Sequence, residues 1–380
     1  MKEQYVILTG SKNNAGDHLI KYRAKKLLQW LKPNIDVIDY NGWEKLSDNQ
    51  LEVINDSKAL ILTGGPALQK NMYPGVYALR DNLDDIKAPV TTMGIGWYDS
   101  KGNWDNTHNY KLDNFSLKLL DKIEKSRLLG SVRDYHTLNA LNSLGYKNYL
   151  MTGCPALYEK DFIKNPIIIP NKIEKIAFSL GVSMKTSKRM FEQMKIVLLT
   201  LKNLFPIANV EVVFHHSPTQ EYLNAHGSNK KLYIAQNRYL DWLKENSFNY
   251  IDISGSATKL VKYYSTVDLH FGYRVHAHIF MSSLSKPSVL FSEDGRGKAL
   301  ERVMGGIIID AYRKVTNNIL IKILHKLSIP IDNFSPNFNL DSDIENIINY
   351  ELKYGIKLEQ PKVEIQRHFK VMKKFIEQLP

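Results

Sequence analysis

Short apolar runs alternate with longer amphipathic stretches along most of the chain, a pattern typical of β-α-β folding. In the first half, strands are predicted at residues 5–9, 35–40, 59–63, 90–94, 128–132 and 148–151. In the second half, they are predicted at residues 176–180, 210–214, 250–253, 267–271 and 288–291. Amphipathic helices are predicted in many of the gaps. We therefore expect an α/β protein whose parallel sheets are covered by helices.

The length of 380 residues exceeds what one ordinary core holds, so we expect two domains. The pattern predicts an N-terminal Rossmann-like domain at 1–160, a proline-containing linker at 161–175 and a second Rossmann-like domain at 176–335. Residues 336–380 are predicted to form C-terminal helices that can pack back on the first domain. Two Rossmann-like domains of this kind would face each other across a cleft.

The chain is basic, with a formal charge of +12 and a pI near 9.3. This charge favours an acidic partner, such as nucleic acid, an anionic membrane or a phosphorylated substrate, but it fits a merely soluble surface equally well. The single cysteine, Cys154, excludes an internal disulfide and fits a reducing compartment. No apolar run has the length of a signal peptide or a membrane span. We expect a cytoplasmic protein that can touch the inner face of the membrane.

The densest group of chemically active side chains lies in residues 265–297, where a strand, a basic loop, a helix and a strand form one βαβ unit. Arg274, His276 and His278 fall in its loop, at the carboxyl end of a strand, where open parallel sheets bind ligands. His215 and His216 follow the strand at 210–214. An arginine and a histidine at the start of a helix suit an anion. A metal is the rival interpretation, but no carboxylate stands at helical or hairpin spacing, so we expect none.

Three loops in the first half also follow strands and carry polar groups or glycines. In residues 13–17, Asp17 stands at a helix start, and the simplest interpretation is an N-cap. Gly64 and Gly65 lack side chains, which either lets backbone N–H groups approach a ligand closely or serves only to form a turn.

Arg133 ends the strand at 128–132 and suits a carboxylate or a phosphate through paired donors. A salt bridge to Asp134 or to another loop explains it as well. Thr137 is predicted to cap the helix that follows.

Taken together and in this order, these motifs resemble the polysaccharide pyruvyltransferase family over about residues 5–306. The resemblance is carried by Asn14-x-Gly16-Asp17, Gly64-Gly65, Gly94-Ile95-Gly96, Val132-Arg133-Asp134 with Thr137, Arg274-x-His276, Lys286-Pro287 and Lys298. The chain departs from the family pattern at Pro66, which removes a backbone donor from the glycine loop, and at Cys154, which replaces an acid. We expect Cys154 to be a small, buried thiol.

The resemblance implies a fold similar to the GT-B glycosyltransferases and transfer of pyruvate from phosphoenolpyruvate to a sugar as a ketal. Arg133 and Arg274 would then grip the donor from different domains, and His276 would be the general acid and base. Lys298 and the helix N-terminus would stabilise the departing phosphate. Phosphoenolpyruvate is the co-substrate and no cofactor is expected. The partner is a saccharide acceptor, with a lipid-linked one among the options.

Two other functions remain open from the sequence. A GT-B glycosyltransferase that uses a nucleotide sugar would share the architecture, although Arg274-x-His276 suits a small dianion better. A non-catalytic binder of anionic glycans or nucleic acid would explain the charge, but no arginine-rich block supports it, and we expect no nucleic-acid partner. For the acceptor, Trp97, Tyr98 and Trp104 offer faces for a sugar, or they are packing residues.

Overall fold

A computed structural model describes residues 3–10, 12, 14–99, 102–226, 230–314, 334–337 and 339–380. The N-terminal half contains a parallel sheet of order β2-β1-β3-β4. Its strands are β1 (Gln4–Thr9), β2 (Asp36–Asn41), β3 (Ala59–Thr63) and β4 (Val90–Met93). A second parallel pair, β5 (Gly130–Val132) and β6 (Tyr149–Met151), extends this sheet through a bridge between Ile95 and Val132. β1 and β3 read as continuous apolar runs because helices cover both of their faces.

The helices of the N-terminal half are α1 (Ala15–Leu31), α2 (Asp48–Asn55), α3 (Asp105–His108), α4 (Asn114–Lys125) and α5 (Tyr135–Ser143). Two cap predictions are wrong. Asn14, not Asp17, caps α1, because its side chain accepts from the Gly16 amide at 3.2 Å. Asp134, not Thr137, caps α5, because its carboxylate accepts both the amide and the hydroxyl of Thr137 at 2.8 Å.

The C-terminal half contains a six-stranded parallel sheet of order β12-β11-β10-β7-β8-β9. Its strands are β7 (Lys175–Ser179), β8 (Asn209–Phe214), β9 (Asn249–Asp252), β10 (Leu269–Gly272), β11 (Ser288–Ser292) and β12 (Ile307–Asp310). The helices between them are α6 (Lys188–Leu204), α7 (Gln220–His226), α8 (Lys230–Glu245), α9 (Ala257–Ser265), α10 (Val275–Ser283) and α11 (Gly295–Met304). The chain continues through the antiparallel pair β13 (Tyr312–Lys314) and β14 (Phe334–Pro336) to α12 (Leu340–Asn346), α13 (Leu352–Tyr354) and α14 (Ile356–Glu377).

Both sheets have a switch point, where the strand order reverses direction. In the N-terminal sheet it lies between β1 and β3, and in the C-terminal sheet between β7 and β10. Crevices at the carboxyl ends of such strands are where open α/β sheets bind ligands. The loops that begin at Gly10 and Gly64 lie at the first switch point, and the loops after Ser179 and Gly272 lie at the second.

Several helices are absent from the pattern-based prediction, and three of them show the reasons. α8 lies in a stretch dominated by polar side chains, although Leu232, Tyr239 and Leu243 face the core at helical spacing. α11 opens with two glycines, which disfavour a helix, but the Asp294 carboxylate accepts from the Arg296 amide at 2.9 Å and caps it. α2 carries a capping box from Ser47 and Gln50 that signals its start.

The two halves pack through apolar side chains as well as polar loops. Residues of α9 and α10, among them Tyr264 and Phe280, belong to the same buried cluster as the core of the N-terminal half. α14 contacts both halves. The Phe369 ring stacks on Trp30 of α1 with 5.3 Å between the ring centres, and Nε2 of His368 donates a hydrogen bond to the Val303 carbonyl at 3.0 Å. None of the helices in the described part of the chain is long and apolar enough to span a bilayer.

Candidate active site

Several buried polar atoms have no hydrogen-bond partner among the described residues, and three of them belong to side chains from the two halves that act on one another electrostatically. They are Nη2 of Arg133, Nε of Arg274 and Nε2 of His276. Each side chain is less than a tenth exposed. A buried donor or acceptor without a partner is costly, so a group of such atoms on two arginines and a histidine is suited to a ligand that completes their hydrogen bonds.

Arg274 occupies the N-cap of α10 without capping it through its own side chain. Its backbone amide donates to the Ser179 hydroxyl at 3.1 Å, and its Nη2 lies 3.1 Å from Nδ1 of His216. Burial lowers the pKa of Arg274 to about 10, which still leaves the guanidinium charged at neutral pH. A fixed cation therefore stands directly before the N-terminus of a helix, which favours a bound anion.

Arg133 approaches the same region from the N-terminal half, at the end of β5. Its guanidinium lies on the backbone of Gly96, where a Cβ would overlap it. Nε contacts the Asp134 carboxylate at 3.4 Å. The salt bridge expected as one alternative is therefore present, but it engages only one edge of the guanidinium.

A third arginine, Arg296 at the start of α11, completes the cationic wall and was not predicted. Its Nε and Nη2 atoms lie 3.0 and 2.7 Å from the Asp294 carboxylate. Burial alone raises the pKa of Asp294, but the charge and hydrogen bonds of Arg296 lower it below its ordinary value. The available signal was the charged run directly after β11, another strand that ends at the same edge of the sheet.

His276 lies where the two halves meet, with its ring on the backbone of Gly16 in α1. Burial lowers the pKa of His276, and the charges of Arg133, Arg296 and Arg274 add to this effect, so that the pKa is about 3. The imidazole is therefore neutral in the empty site. An anion bound among the three guanidinium groups would offset part of their charge and so raise this pKa.

Replacing Gly16 with alanine should reduce activity about a hundredfold without unfolding the protein. A Cβ at this position would overlap the His276 ring, and displacing a reacting group by about 1 Å costs a factor of this order. Helix propensity favours alanine by up to about 1 kcal/mol, which offsets part of the strain. Urea unfolding and turnover should be measured together, with Gln29→Ala on the exposed face of α1 as the control. Wild-type turnover in the Gly16 variant would contradict this packing.

His278, together with His270, which was not singled out from the sequence, forms a buried network behind the site. Nδ1 atoms of His270 and His278 both lie 2.8 Å from the Ser288 hydroxyl, and Nε2 of His270 lies 2.8 Å from that of Ser179. His278 therefore points away from the cleft, as its helical spacing to His276 predicts. The network fixes the Ser179 hydroxyl, and this hydroxyl accepts a hydrogen bond from the Arg274 amide.

His215 and His216 also serve the framework in this structure. Nε2 of His215 lies 2.8 Å from the Tyr264 hydroxyl, and its carbonyl accepts from the Ala15 amide across the cleft at 3.4 Å. His216 contacts Arg274, as described above. Within the described ranges, no three His, Cys, Asp or Glu side chains group as a metal site requires.

The buried histidines should make the protein sensitive to acid. Burial lowers the pKa of His276 and His278 to about 3, and lowers the pKa of His215, His216 and His270 well below the usual value. The unfolded chain, with histidines near pKa 6.5, therefore binds more protons below that pH. We expect the free energy of unfolding to fall by up to about 1.4 kcal/mol per pH unit for each histidine below pH 6.5. Urea unfolding at pH 7.5, 6.5 and 5.5 checks this, and equal stability at all three would contradict it.

Asp17, Gly64 and Gly65 meet at the first switch point. Asp17 is 4% exposed, and a Cβ on Gly65 would lie 3.1 Å from its Oδ1. Of the two interpretations of the glycine pair, ligand binding through the Gly64 N–H is wrong, because this amide already donates to the Met93 carbonyl at 3.0 Å.

Cys154 is buried as expected, and burial raises the pKa of its thiol to about 11.

Lys298 and two aromatic residues lie elsewhere than predicted. Lys298 pairs with Asp310 at 3.5 Å and is 38% exposed, so the α11 charge that acts on His276 is that of Arg296. Trp97 is fully buried and offers no face to a sugar. His136 stacks between Trp97 and Trp104, at 5.2 and 4.2 Å, and Arg302 covers Trp104. These rings therefore join α5 to α11 and act as packing residues.

Glu293 fills the loop after β7 at the second switch point. Its carboxylate accepts from the amides of Val182 and Ser183 at 2.9 to 3.0 Å. Adjacent amides of this kind are a common site for phosphate groups. In this chain, the protein's own carboxylate occupies them.

Two Rossmann-like halves that meet at a cationic cleft have the architecture of the GT-B fold. The UDP-GlcNAc 2-epimerase of Neisseria meningitidis, solved bound to UDP-GlcNAc, has a TM-score of 0.51 and 11% identity over 99% of this chain and 100% of its own. A Listeria monocytogenes protein assigned to the UDP-N-acetylglucosamine 2-epimerases has a TM-score of 0.51 and 9% identity, over 98% and 95%. At these identities the likeness shows the fold alone.

The family is shown by the sequence. A family profile described as polysaccharide pyruvyl transferase matches residues 14–295, and the chain belongs to this family. A search of curated proteins gave no match. The matched range includes Asp17, Arg133, Arg274 and His276, and it ends one residue before Arg296.

Proposed function

We propose that this enzyme transfers pyruvate from phosphoenolpyruvate to two hydroxyl groups of a sugar, forming a cyclic ketal and releasing phosphate. The observation that carries the proposal is the convergence of Arg133, Arg274 and Arg296 on His276 from both halves, with buried nitrogens that lack partners among the described residues. Phosphoenolpyruvate places a phosphate and a carboxylate close together. Planar guanidinium groups bind both anions through paired N–H donors.

The donor would lie between Arg133 on one side and Arg274 with the α10 N-terminus on the other. Arg296 already donates through Nε and Nη2 to the Asp294 carboxylate, so it contributes positive charge rather than a second pair of N–H donors. The negative charges of the donor would raise the pKa of His276, so that the imidazole takes up a proton when the donor binds. Binding of the donor thus prepares the acid that the reaction needs.

The reaction then needs two proton carriers. His276 gives its proton to the methylene carbon, and a sugar hydroxyl attacks the adjacent carbon while its proton passes to Asp17. The carbon–oxygen bond to phosphate breaks, phosphate leaves with the bonding electrons, and it takes the proton from Asp17. The second hydroxyl attacks the same carbon and returns a proton to His276. The products are the ketal and inorganic phosphate, and both side chains regain their starting states.

A nucleotide-sugar transferase remains the alternative, because the Neisseria meningitidis neighbour binds UDP-GlcNAc in a similar fold. One observation speaks against it: Glu293 already occupies the Val182 and Ser183 amides at the second switch point. A diphosphate placed there would have to displace a carboxylate. The cytoplasmic location, a lipid-linked acceptor and contact with the inner membrane face stay predictions from the sequence.

The proposal is tested by phosphate release from phosphoenolpyruvate in the presence of sugar acceptors. We expect release to require both substrates and a mass increase of the sugar by one pyruvyl ketal. A thermal-shift panel separates the alternative: stabilisation by uridine or guanosine diphosphate, but not by phosphoenolpyruvate, would favour nucleotide-sugar transfer. Failure of phosphoenolpyruvate to bind would reject the donor assignment.

A further inference from the structure

Glu293, directly after β11, extends its carboxylate across the second switch point to the loop after β7. Both of its oxygens accept from the Val182 amide at 3.0 Å, and one accepts from the Ser183 amide at 2.9 Å. Gly181 leaves room for this approach, because a Cβ there would lie 2.6 Å from Oε2 of Glu293. Glu293 is only 6% exposed. The protein thus keeps a buried anion of its own at a place where open α/β sheets bind ligands.

The groups around this carboxylate are of the kind that binds phosphate. Adjacent backbone N–H groups form a concave anion site, and Val182 and Ser183 supply two of them. The Ser183 hydroxyl is buried and has no hydrogen-bond partner among the described residues. Both oxygens of the carboxylate already accept amide N–H groups. A tetrahedral phosphate at this place would offer a further oxygen to the hydroxyl.

Arg274 connects this place to the proposed donor site. Burial lowers the pKa of Arg274, and the charge of Glu293 is the largest influence that raises it, so the carboxylate lies near the guanidinium. Nε of Arg274 has no partner among the described residues. Without Glu293, a diphosphate could place one phosphate at the start of α10 and the other at the Val182 and Ser183 amides.

We propose that Glu293 is a specificity-determining residue: its carboxylate takes the place of a second phosphate, so the cleft accepts a donor with one phosphate and rejects nucleoside diphosphates. This inference rests on the proposed function and assigns the residue that restricts its donor. Rejection has two physical causes, because the carboxylate occupies the amides and its charge repels a second phosphate. Phosphoenolpyruvate needs neither amide, since Arg133 and Arg274 bind its phosphate and its carboxylate in the proposed arrangement.

The test is a gain of binding, measured by calorimetry with pyrophosphate, UDP and phosphoenolpyruvate as separate probes. Glu293→Ala removes the carboxylate and opens the amides. We expect this variant to bind pyrophosphate and UDP about tenfold more tightly than the wild type does, with a smaller gain for phosphoenolpyruvate. Glu293→Gln is the matched control, because glutamine loses the charge but still fills the space. It should change the affinity for all three probes by a similar factor.

A second substitution locates the gained site. In the Glu293→Ala background, Ser183→Ala should weaken pyrophosphate binding about fivefold, because it removes a hydroxyl that bonds the phosphate. An unchanged affinity would place the gained site elsewhere and overturn the inference. If Glu293→Ala does not fold, Glu293→Ser takes its place with the same expectation, since its hydroxyl can bond one of the amides.

Two further results would each overturn the inference. One is a wild-type protein that binds UDP or pyrophosphate as tightly as phosphoenolpyruvate. The other is a Glu293→Ala variant that gains no more affinity for pyrophosphate and UDP than Glu293→Gln does. Failure of phosphoenolpyruvate to bind would reject the donor proposal separately, because the comparison of these two variants uses pyrophosphate and UDP without it.

Discussion

Replacing His276 with glutamine is expected to lower the turnover number by about a thousandfold and to leave phosphoenolpyruvate binding largely intact. A positioned general acid contributes roughly a hundredfold to ten-thousandfold, and in the proposed mechanism His276 transfers a proton twice in each cycle. Glutamine fills a similar volume and keeps a polar end, so the contact with Gly16 should survive. Phosphate release gives turnover, and calorimetry gives the binding constant. A variant with wild-type turnover would remove His276 from the mechanism.

The same variant tests the proposed change in protonation. In the empty site, burial and the three arginines lower the pKa of His276 to about 3, and bound donor should raise it. Binding at pH 7.5 should therefore be accompanied by uptake of a fraction of a proton by His276, since the donor phosphate is already ionised there. Calorimetry in two buffers of different ionisation enthalpy measures the uptake. His276→Gln should abolish it, and equal uptake in both proteins would assign the proton to another group.

Replacing Arg133 with alanine is expected to lower kcat/KM for phosphoenolpyruvate by about a thousandfold. Losing a charge-assisted pair in a buried site costs about 3 to 4 kcal/mol. Arg133→Lys keeps the charge but loses the planar fork, so it should fall between alanine and wild type. Steady-state kinetics over a range of donor concentrations gives these values.

Arg238→Ala, at an exposed position on α8, is the control for loss of an arginine as such. Because Arg133 comes from the N-terminal half, its effect also shows whether the donor spans the cleft. If Arg133→Ala retained normal donor affinity while Arg274→Ala lost it, the donor would sit wholly on the C-terminal half. The cleft assignment would then be wrong.

The strands were predictable because parallel strands buried on both faces read as unbroken apolar runs, as in β1 and β3. The helices were harder, since α11 begins with glycines and is held by a cap that only the three-dimensional context reveals. The two cap errors have one origin. Asn14 and Asp134 each stand just ahead of the residue chosen from sequence, and several polar side chains in a row leave the helix start undetermined.

The cluster around Arg274 and His276 was predictable because buried charge is costly and seldom gathers without a use. Arg296 was missed because a charged run containing glycines is typical of a turn, and nothing local shows that α11 turns it toward the cleft. The burial of Trp97 could not be predicted either, since an aromatic residue after a strand either packs in the core or binds a ligand, depending on its neighbours in space. His136 and Arg302, distant in sequence, decide that Trp97 and Trp104 pack.

The crossing helix α14 constrains how substrates reach the cleft. Its Phe369 lies on Trp30 of one half, while His368 is bonded to Val303 of the other. A wide hinge opening of the two halves would have to break these contacts and expose the apolar seam at Tyr264 and Phe280. We therefore expect substrates to enter through shifts of loops and single side chains rather than through rigid-body opening of the two halves. The pace of catalysis would then depend on the loops at the cleft mouth more than on motion between the domains.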